Sequence, residues 1–492
     1  MLSVAGRAVR SAFYLTLAGY AMQVIGFVTG VVLARRIEPD QFGIFGLALS
    51  LMLIFARVKL WGFNRIILAE TDPDDLKVST QFWMSTAFSL LVFLLLLAAR
   101  PLLRLIYSSD VVLVATLIAA LSVFENEGLA STPETMLARD LRYGLLSLIT
   151  VLSTFVGQMT SVALALGGLV TFWALFAGYA AKTLSYFVGV WAFAPRRPRL
   201  MFSLEEARGM LRQGRFMFWG GVGTFLAFQY DDIAVGTIVG TESLGYYRRA
   251  YDLSLVPMSI IGGVLGVTAA TYAKVKENRE ALSETVSFIL DAVALIALPA
   301  SVGLALIAPE FVALVYGEKW LPAVPMLRIL LLYSMVRPLN DSIGALAPTL
   351  GRFDVDMRFG IVESVVMLVS CTALTLLWGA NGAALSAGLT VVVGFYIFYR
   401  SLLRPYVDVN YRAIFVPPLL ALALGTGVAL LAMKVYAPPE LWGTLFYKGA
   451  IFSGVYGAAL LALGRQNLIS RLRRLYSVTL GAGRQPQTGP AD

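Results

Sequence analysis

The chain alternates between apolar stretches and short polar segments. Most apolar stretches last about 20 to 27 residues, the length that an α-helix needs to cross a bilayer, whereas strands of outer-membrane barrels show alternating patterns of about ten residues. The pattern therefore predicts an all-α integral membrane protein. Divided at charged residues, Pro or Gly, the stretches give fourteen predicted transmembrane helices, numbered here as spans 1 to 14, near residues 11–34, 42–64, 80–100, 111–133, 145–166, 170–194, 215–239, 250–273, 285–307, 321–345, 357–379, 382–404, 412–436 and 441–463.

The composition excludes the soluble and the disordered classes of protein. Of the 492 residues, 58% are hydrophobic and 14% are charged, and the mean hydropathy is +0.76. Soluble domains carry about a quarter charged residues, and disordered chains combine low hydrophobicity with high charge. Span 1 is too long for the core of a signal peptide and is followed by Arg35 and Arg36 rather than a cleavage site, so we expect it to be retained.

The absence of histidine and the near absence of cysteine narrow the chemistry. The sequence has no histidine, which excludes His-dependent catalysis, His-ligated metals and histidine pH switches. The single cysteine, Cys371, lies within an apolar stretch, so an intrachain disulfide and a Cys-ligated metal site are excluded as well. No polar stretch reaches 30 residues, the room that a soluble catalytic domain would need. We therefore predict no catalytic residues, no metal and no cofactor.

The distribution of positive charge predicts the orientation in the membrane. With both termini in the cytoplasm, 25 of the 39 Lys and Arg residues lie in or beside cytoplasmic segments, eight lie on the other side and six lie within spans. This bias follows the positive-inside rule. The net charge of +9 is thus mostly a topology signal, and we do not expect nucleic acid as a partner.

An internal repeat relates the two halves of the chain. The segment 32–45 has a counterpart 202 residues later, at 234–247, and in both an acidic residue is followed by an apolar residue, Gly and an aromatic residue. A weaker sequence similarity relates residues 137–140 to residues 350–353. Six spans separate the equivalent positions, so the halves point the same way through the membrane, as in parallel-repeat transporters. We predict two six-helix lobes related by a pseudo-two-fold axis, with spans 13 and 14 added.

These patterns divide the chain into five parts. Between the lobes lies the most basic segment, in which Ser203 to Glu206 has the capping-box pattern and helical spacing ends before Gly214. We expect an amphipathic helix on the cytoplasmic surface with its arginines towards anionic headgroups; its role is either mechanical coupling or topology alone. The predicted parts are the N-lobe at 1–194, this linker at 195–214, the C-lobe at 215–411, spans 13 and 14 at 412–463, and a basic, partly disordered cytoplasmic tail at 464–492.

Several motifs resemble a known family. These are VVLARRIEPDQFGIFGLALS at the first connection, the acidic pair Asp231-Asp232 ahead of GTESLGYYRRAYDLSLVP, the basic linker, and RILLLYSMVRPLNDSIGALAPTLGRFD at span 10. Over nearly its whole length the chain resembles the Wzx-like polysaccharide or O-antigen flippases. Their superfamily, the multidrug/oligosaccharidyl-lipid/polysaccharide exporters, also contains the MATE exporters and the lipid II flippases.

The resemblance implies a fold, a substrate and a location. It implies a MATE-like architecture in which two lobes surround a cavity that opens alternately to each side. The substrate would be a polyprenyl-pyrophosphate-linked oligosaccharide, carried on undecaprenyl pyrophosphate and moved to the periplasmic leaflet of the bacterial inner membrane for lipopolysaccharide or exopolysaccharide synthesis. Membrane lipid, glycosyltransferases and a polysaccharide polymerase are the implied partners.

Five cations within the spans are candidate ligands for such a headgroup. Charges deep in a bilayer usually face a cavity or a partner, because each costs about 2.5 to 3.5 kcal/mol to insert. Lys182 lies near the middle of span 6, facing either a cavity or a buried structural partner. Arg57 and Lys59 lie near the cytoplasmic end of span 2 and either snorkel or face inward; the spacing to Asn64 favours Arg57. The remaining candidates are Arg328 and Arg337 in span 10.

Acidic residues in the spans are candidate coupling or ion-pair groups. A carboxylate near Lys or Arg stays charged, whereas an uncompensated one can carry a proton, and the sequence leaves both open. Neighbouring residues on a helix point about 100° apart, so only one of the paired aspartates is expected to face a cavity. The candidates are Asp231, Asp232, Asp341, Glu125, Glu127 and Glu363.

Two other functions compete with the flippase. A cation-coupled multidrug exporter of the MATE type would use carboxylates and aromatic residues without a central cation, and Lys182 counts against it. A membrane glycosyltransferase or O-antigen polymerase would carry a large polar loop, which the sequence lacks. We therefore favour the flippase.

Overall fold

A computed structural model describes residues 4–59 and 61–481, and within these ranges every regular element is helical. Within these ranges the chain forms two compact units, residues 4–248 with 367–383, and 249–366 with 384–481. In chain order the helices are α1 (Val4–Arg36), α2 (Pro39–Ala56), α3 (Phe63–Ala69), α4 (Asp75–Leu103), α5 (Ser109–Leu121), α6 (Ser131–Arg139), α7 (Tyr143–Leu166), α8 (Phe172–Ala192), α9 (Leu204–Phe228), α10 (Tyr230–Ile238), α11 (Thr241–Ser254), α12 (Val256–Val275), α13 (Arg279–Val315), α14 (Val324–Gly344), α15 (Leu346–Thr349), α16 (Phe353–Phe398), α17 (Arg404–Tyr406), α18 (Tyr411–Val435) and α19 (Leu441–Gly481).

Nine segments in the part of the chain that the structure describes are long and apolar enough to cross a membrane. The predicted number of fourteen differs because several predicted spans are broken or merged. Spans 2 and 4 are each divided between two helices, and spans 11 and 12 both lie in α16. Within α16, Trp378 and Gly379 depart from helical geometry, with a left-handed φ of 59° at Gly379, close to the predicted turn between the two spans. Fourteen crossings remain a prediction.

The segments related by the 202-residue repeat contact one another in the first unit. A Cβ atom on Gly43 would overlap the carbonyl oxygen of Thr241, and a Cβ atom on Gly245 would overlap the carbonyl oxygen of Pro39. Thr241 and Gly245 are the residues that the repeat aligns with Pro39 and Gly43. The two contacts are therefore reciprocal, as expected across a local two-fold axis, and they support the predicted duplication.

The linker helix differs from the sequence prediction. Helix α9 does not end before Gly214 but continues to Phe228. Gly214 lies against the carbonyl of Trp61, where a glycine permits a close approach. The apolar side of its first turns, with Ala207 and Met210, is buried against α3, α4 and α6. The apolar face of the predicted amphipathic helix thus packs on protein, and its place on the cytoplasmic surface stays a prediction.

The second unit is built around α13. This helix packs on α12, α14, α18 and α19, and Leu290 and Val293 lie in its apolar core. Near one end of α13, Glu310 Oε1 pairs with Lys448 Nζ of α19 at 2.6 Å. Helix α19 extends to Gly481, past the predicted end of span 14, while residues 482–492 of the predicted tail lie outside the described residues.

Candidate functional site

Two interrupted helices of the first unit carry four of the candidate residues. Span 2 leaves the α-helix at a 3-10 turn, Arg57–Lys59, and resumes as α3 after Gly62, which has a left-handed φ of 68°. Span 4 is interrupted between a 3-10 turn, Ser122–Phe124, and α6. Glu125 and Glu127 lie in this second interruption. Irregular backbone at membrane depth is tolerated where it is buried in protein or lines a cavity, and it often forms the binding sites of transporters.

An ion pair joins the two interruptions. Lys59 Nζ lies 3.6 Å from Glu125 Oε2, and the side chains are 4% and 26% exposed. The Tyr179 hydroxyl of α8 donates a hydrogen bond to the Glu125 carboxylate. Lys59 is buried and Arg57 only half-buried, so burial does not favour Arg57 over Lys59 as the inward residue. The helical spacing to Asn64 does not apply, because the α-helix ends at Ala56.

Arg57 and Glu127 extend this charged cluster. Arg57 Nε donates to the carbonyl oxygen of Leu53 at 3.2 Å, which satisfies one of its five donors. The half-buried Glu127 side chain is attracted by the charges of Lys59 and Arg57. The main chain of Glu127 accepts a hydrogen bond from Ser89 Oγ at 2.7 Å. The interruptions thus gather two cations and two carboxylates, a set that could exchange its internal partners for an anionic ligand.

A buried polar network lies behind the second interruption, and sequence reasoning missed it. Gln81 Nε2 donates to Ser131 Oγ and to Asn64 Oδ1, both at 2.7 Å, and Gln81 Oε1 accepts from Thr132 Oγ1 at 2.5 Å. Asn64 Nδ2 donates to the carbonyl oxygen of Asn126 at 3.0 Å. Side chains therefore satisfy the irregular backbone, as membrane depth requires. The feature of the sequence that indicates this network is the amide side chain of Gln81 inside an apolar span.

Lys182 differs from Arg57 and Lys59, the other candidate cations of the first unit, because its side chain is exposed. It lies one turn along α8 from Tyr179, and its backbone packs against Gly157 of α7. Within residues 4–59 and 61–481, Lys182 makes no ion pair. Gly178 and Gly189 of the same helix also contact α7, because small residues let two helices approach closely.

The two adjacent aspartates have different surroundings. Asp231 is 5% exposed and accepts a hydrogen bond from the Tyr247 hydroxyl at 2.6 Å. Asp232 accepts from Ser50 Oγ at 3.1 Å and pairs with Arg248 Nη1 at 3.3 Å. Both carboxylates are therefore held by partners from neighbouring helices.

In the second unit, Arg337 is held by two carboxylates. Its Nε lies 3.0 Å from Asp341 Oδ1 on the same helix, and its Nη1 lies 3.0 Å from Glu363 Oε1 on α16. The first partner lies four residues along the same helix, whereas Glu363 is distant in the chain. Arg328, one of the other candidate cations, is exposed and donates to the carbonyl oxygen of Ala305 at 3.2 Å. Because two negative charges surround Arg337, this cluster suits a cation or a proton better than an added anion.

Comparisons with known proteins agree with this architecture. The family model described as polysaccharide biosynthesis protein matches residues 32–325. The chain is 24% identical over 399 residues to the lipopolysaccharide biosynthesis protein WzxC of Escherichia coli K12, covering 79% of each. It is 24% identical over 308 residues to the succinoglycan biosynthesis transport protein ExoT of Rhizobium meliloti, covering 62% of each.

A solved structure tests the predicted fold class. The chain is similar to the lipid II flippase MurJ in an inward closed conformation, with a TM-score of 0.73, 12% sequence identity, and coverage of 92% of this chain and 99% of that one. This similarity confirms the expected all-helical fold, of the kind seen in that structure.

Proposed function

Because the chain belongs to the polysaccharide biosynthesis protein family of Wzx-like flippases, we propose that it moves a lipid-pyrophosphate-linked oligosaccharide across the membrane. The direction is from the cytoplasmic to the periplasmic leaflet of the bacterial inner membrane, by alternating access between two lobes. The activity is transport rather than catalysis, in keeping with the names of ExoT and MurJ.

The observation that carries this proposal is the cationic cluster of the first unit. Arg57 and Lys59 lie on interrupted helix, where backbone and side chains are fixed by a polar network. Lys182 adds an exposed ammonium one turn from Tyr179 without a carboxylate partner in the described part of the chain. A pyrophosphate offers several anionic oxygens and needs such point charges and guanidinium forks.

The acidic residues of this cluster have a separate role in the proposal. Glu125 and Tyr179 hold Lys59 in place before substrate arrives, and Glu127 offsets the charge of Arg57. A buried cation without a partner would be costly, so these carboxylates keep the empty site folded. Substrate phosphate then takes over part of their hydrogen bonding.

The Arg337 cluster is assigned differently from the sequence prediction. With Asp341 and Glu363 both within 3.0 Å, its guanidinium is already neutralised. We assign these acids, and the pair Asp231 and Asp232, to ion pairing or coupling rather than to the headgroup. The predicted fourteen spans, cytoplasmic termini, and glycosyltransferase and polymerase partners belong to the same proposal.

Surface glycan in a strain lacking its own flippase tests the function. Expression of the chain should restore a surface polysaccharide built on undecaprenyl pyrophosphate, and the Lys182→Ala variant should not. Lys434→Ala provides the matched control, because Lys434 is exposed in the last turn of α18, a helix of the second unit. Efflux of a cationic dye without any glycan export would instead support the multidrug exporter.

A further inference from the structure

The segment 195–203, called the strap here, connects α8 to α9 and is fastened to the start of α4. The backbone N–H of Arg199 donates to Ser79 Oγ at 2.9 Å, and the backbone N–H of Ser203 donates to Thr80 Oγ1 at 3.0 Å. Ser79 and Thr80 are fully buried. These buried hydrogen-bond partners hold the irregular segment in a defined conformation.

Side chains fasten the strap a second time. Arg196 Nη1 donates to the carbonyl oxygen of Pro73 at 3.0 Å, and Arg199 Nη1 pairs with Asp75 Oδ2 at 2.9 Å. Trp83 Nε1 donates to the carbonyl oxygen of Arg199 at 3.1 Å. These two arginine side chains therefore bind groups of the protein, in contrast to the expectation that they face lipid headgroups.

The fixed strap holds three large apolar side chains outward. Leu200 is 90% exposed, Phe202 is 52% exposed, and Leu204, at the start of α9, is 58% exposed. Along the same helix, Ala207 and Met210, three and six residues after Leu204, are buried in protein. Hydrogen bonds hold the backbone on which these side chains stand, and exposed apolar residues grouped along one short segment mark a surface that binds something.

The charges around the patch indicate what it binds. This part of the chain exposes three arginines, Arg197, Arg208 and Arg212, and it also exposes the acidic residue Glu205. Basic residues interleaved with Leu and Phe are typical of segments that lie in the interface of an anionic membrane. The strap also runs beside the start of α4, a helix that is long and apolar enough to cross a membrane, which places it at the edge of the bilayer.

We propose that the strap is an anchor for anionic lipid. Leu200, Phe202 and Leu204 insert at the boundary between headgroups and acyl chains. Arg197, Arg208 and Arg212 bind the phosphates of acidic lipids around them. The first turns of α9 are thereby fixed between protein on one side and the lipid surface on the other.

Depth measurements with spin labels test the anchor in the full-length protein. Cys371 is the only cysteine, so a Cys371→Ser background carries single labels at Leu200→Cys or Phe202→Cys, with Asp72→Cys as an exposed polar control on the neighbouring loop. The protein is reconstituted in vesicles of phosphatidylcholine alone or mixed with phosphatidylglycerol. We expect oxygen to reach the labels at positions 200 and 202 better than a water-soluble nickel reagent does, and the reverse at position 72.

A charge variant separates the two parts of the proposal. Replacing Arg197, Arg208 and Arg212 by Gln should abolish any deepening caused by phosphatidylglycerol, while the labels stay inserted in phosphatidylcholine. Labels at positions 200 and 202 that are as accessible to the nickel reagent as the control, in both kinds of vesicle, would overturn the anchor and assign the patch to a soluble partner instead.

Discussion

The ammonium of Lys59 lies 3.6 Å from the carboxylate of Glu125, and this contact joins two helices at the points where each is interrupted. Neither residue lies in regular α-helix. The pair therefore links the two irregular segments. A ligand that competes for Lys59 would break this link and so affect both segments at once. This relationship leads to the first prediction.

Breaking the Lys59–Glu125 pair on one side should lower the abundance of the folded protein. A buried charge left alone costs about 3 to 5 kcal/mol, whereas removing both charges costs less. We expect Lys59→Met and Glu125→Gln each to reduce membrane abundance, and the double variant to recover it without recovering glycan export. Fluorescence-detected size exclusion and surface glycan measure the two properties. If the double variant also exports glycan, the pair is structural and Lys59 does not bind substrate.

Lys182 should affect transport without affecting folding. Its side chain is exposed, so Lys182→Ala leaves no buried partner behind. A hydrogen bond to a charged group is worth about 1.5 to 3 kcal/mol, which corresponds to a loss of about tenfold or more in transport. Lys182→Arg should retain partial transport, since it keeps the charge but changes its shape. Normal export by Lys182→Ala at normal abundance would contradict its proposed role.

Arg337 should behave as a structural residue. Arg337→Ala leaves two carboxylates unpaired and should reduce abundance strongly. Adding Glu363→Gln should restore more abundance than adding Asp341→Ala, because the Glu363 side chain is 5% exposed and that of Asp341 is 30% exposed. The comparison is made by fluorescence-detected size exclusion. Arg337→Ala at normal abundance with abolished export would return Arg337 to the substrate-binding cations.

The reciprocal glycine contacts predict a symmetric effect of two substitutions. Gly43→Ala and Gly245→Ala each place a methyl group on a backbone carbonyl of the other segment, and overpacking of this kind costs about 1 to 3 kcal/mol. Gly26→Ala in α1 is the control, since no atom lies within 4 Å of its added Cβ. The apparent Tm in detergent should fall in both variants and not in the control. A lowered Tm in only one of the two would argue against equivalent turns.

The sequence predicted the class of fold and missed details that depend on contacts between distant residues. Apolar length alone indicates helices and membrane, and the repeat points to Gly43 and Gly245 because a shared register is visible in one chain. Lys59 was ranked below Arg57 because helical spacing was assumed across a helix end. Glu363 was not recognised as a partner of Arg337, since no local pattern brings α16 to α14.

Translocation in proteoliposomes tests the central claim most directly. Purified protein is reconstituted with an undecaprenyl-pyrophosphate-linked oligosaccharide, and the fraction that reaches the outer leaflet is measured with an external glycosidase. We predict translocation by the unaltered protein above that of empty vesicles, and its loss in Lys182→Ala. Equal glycosidase access in vesicles with and without the protein, at verified reconstitution, would contradict the assignment as a flippase.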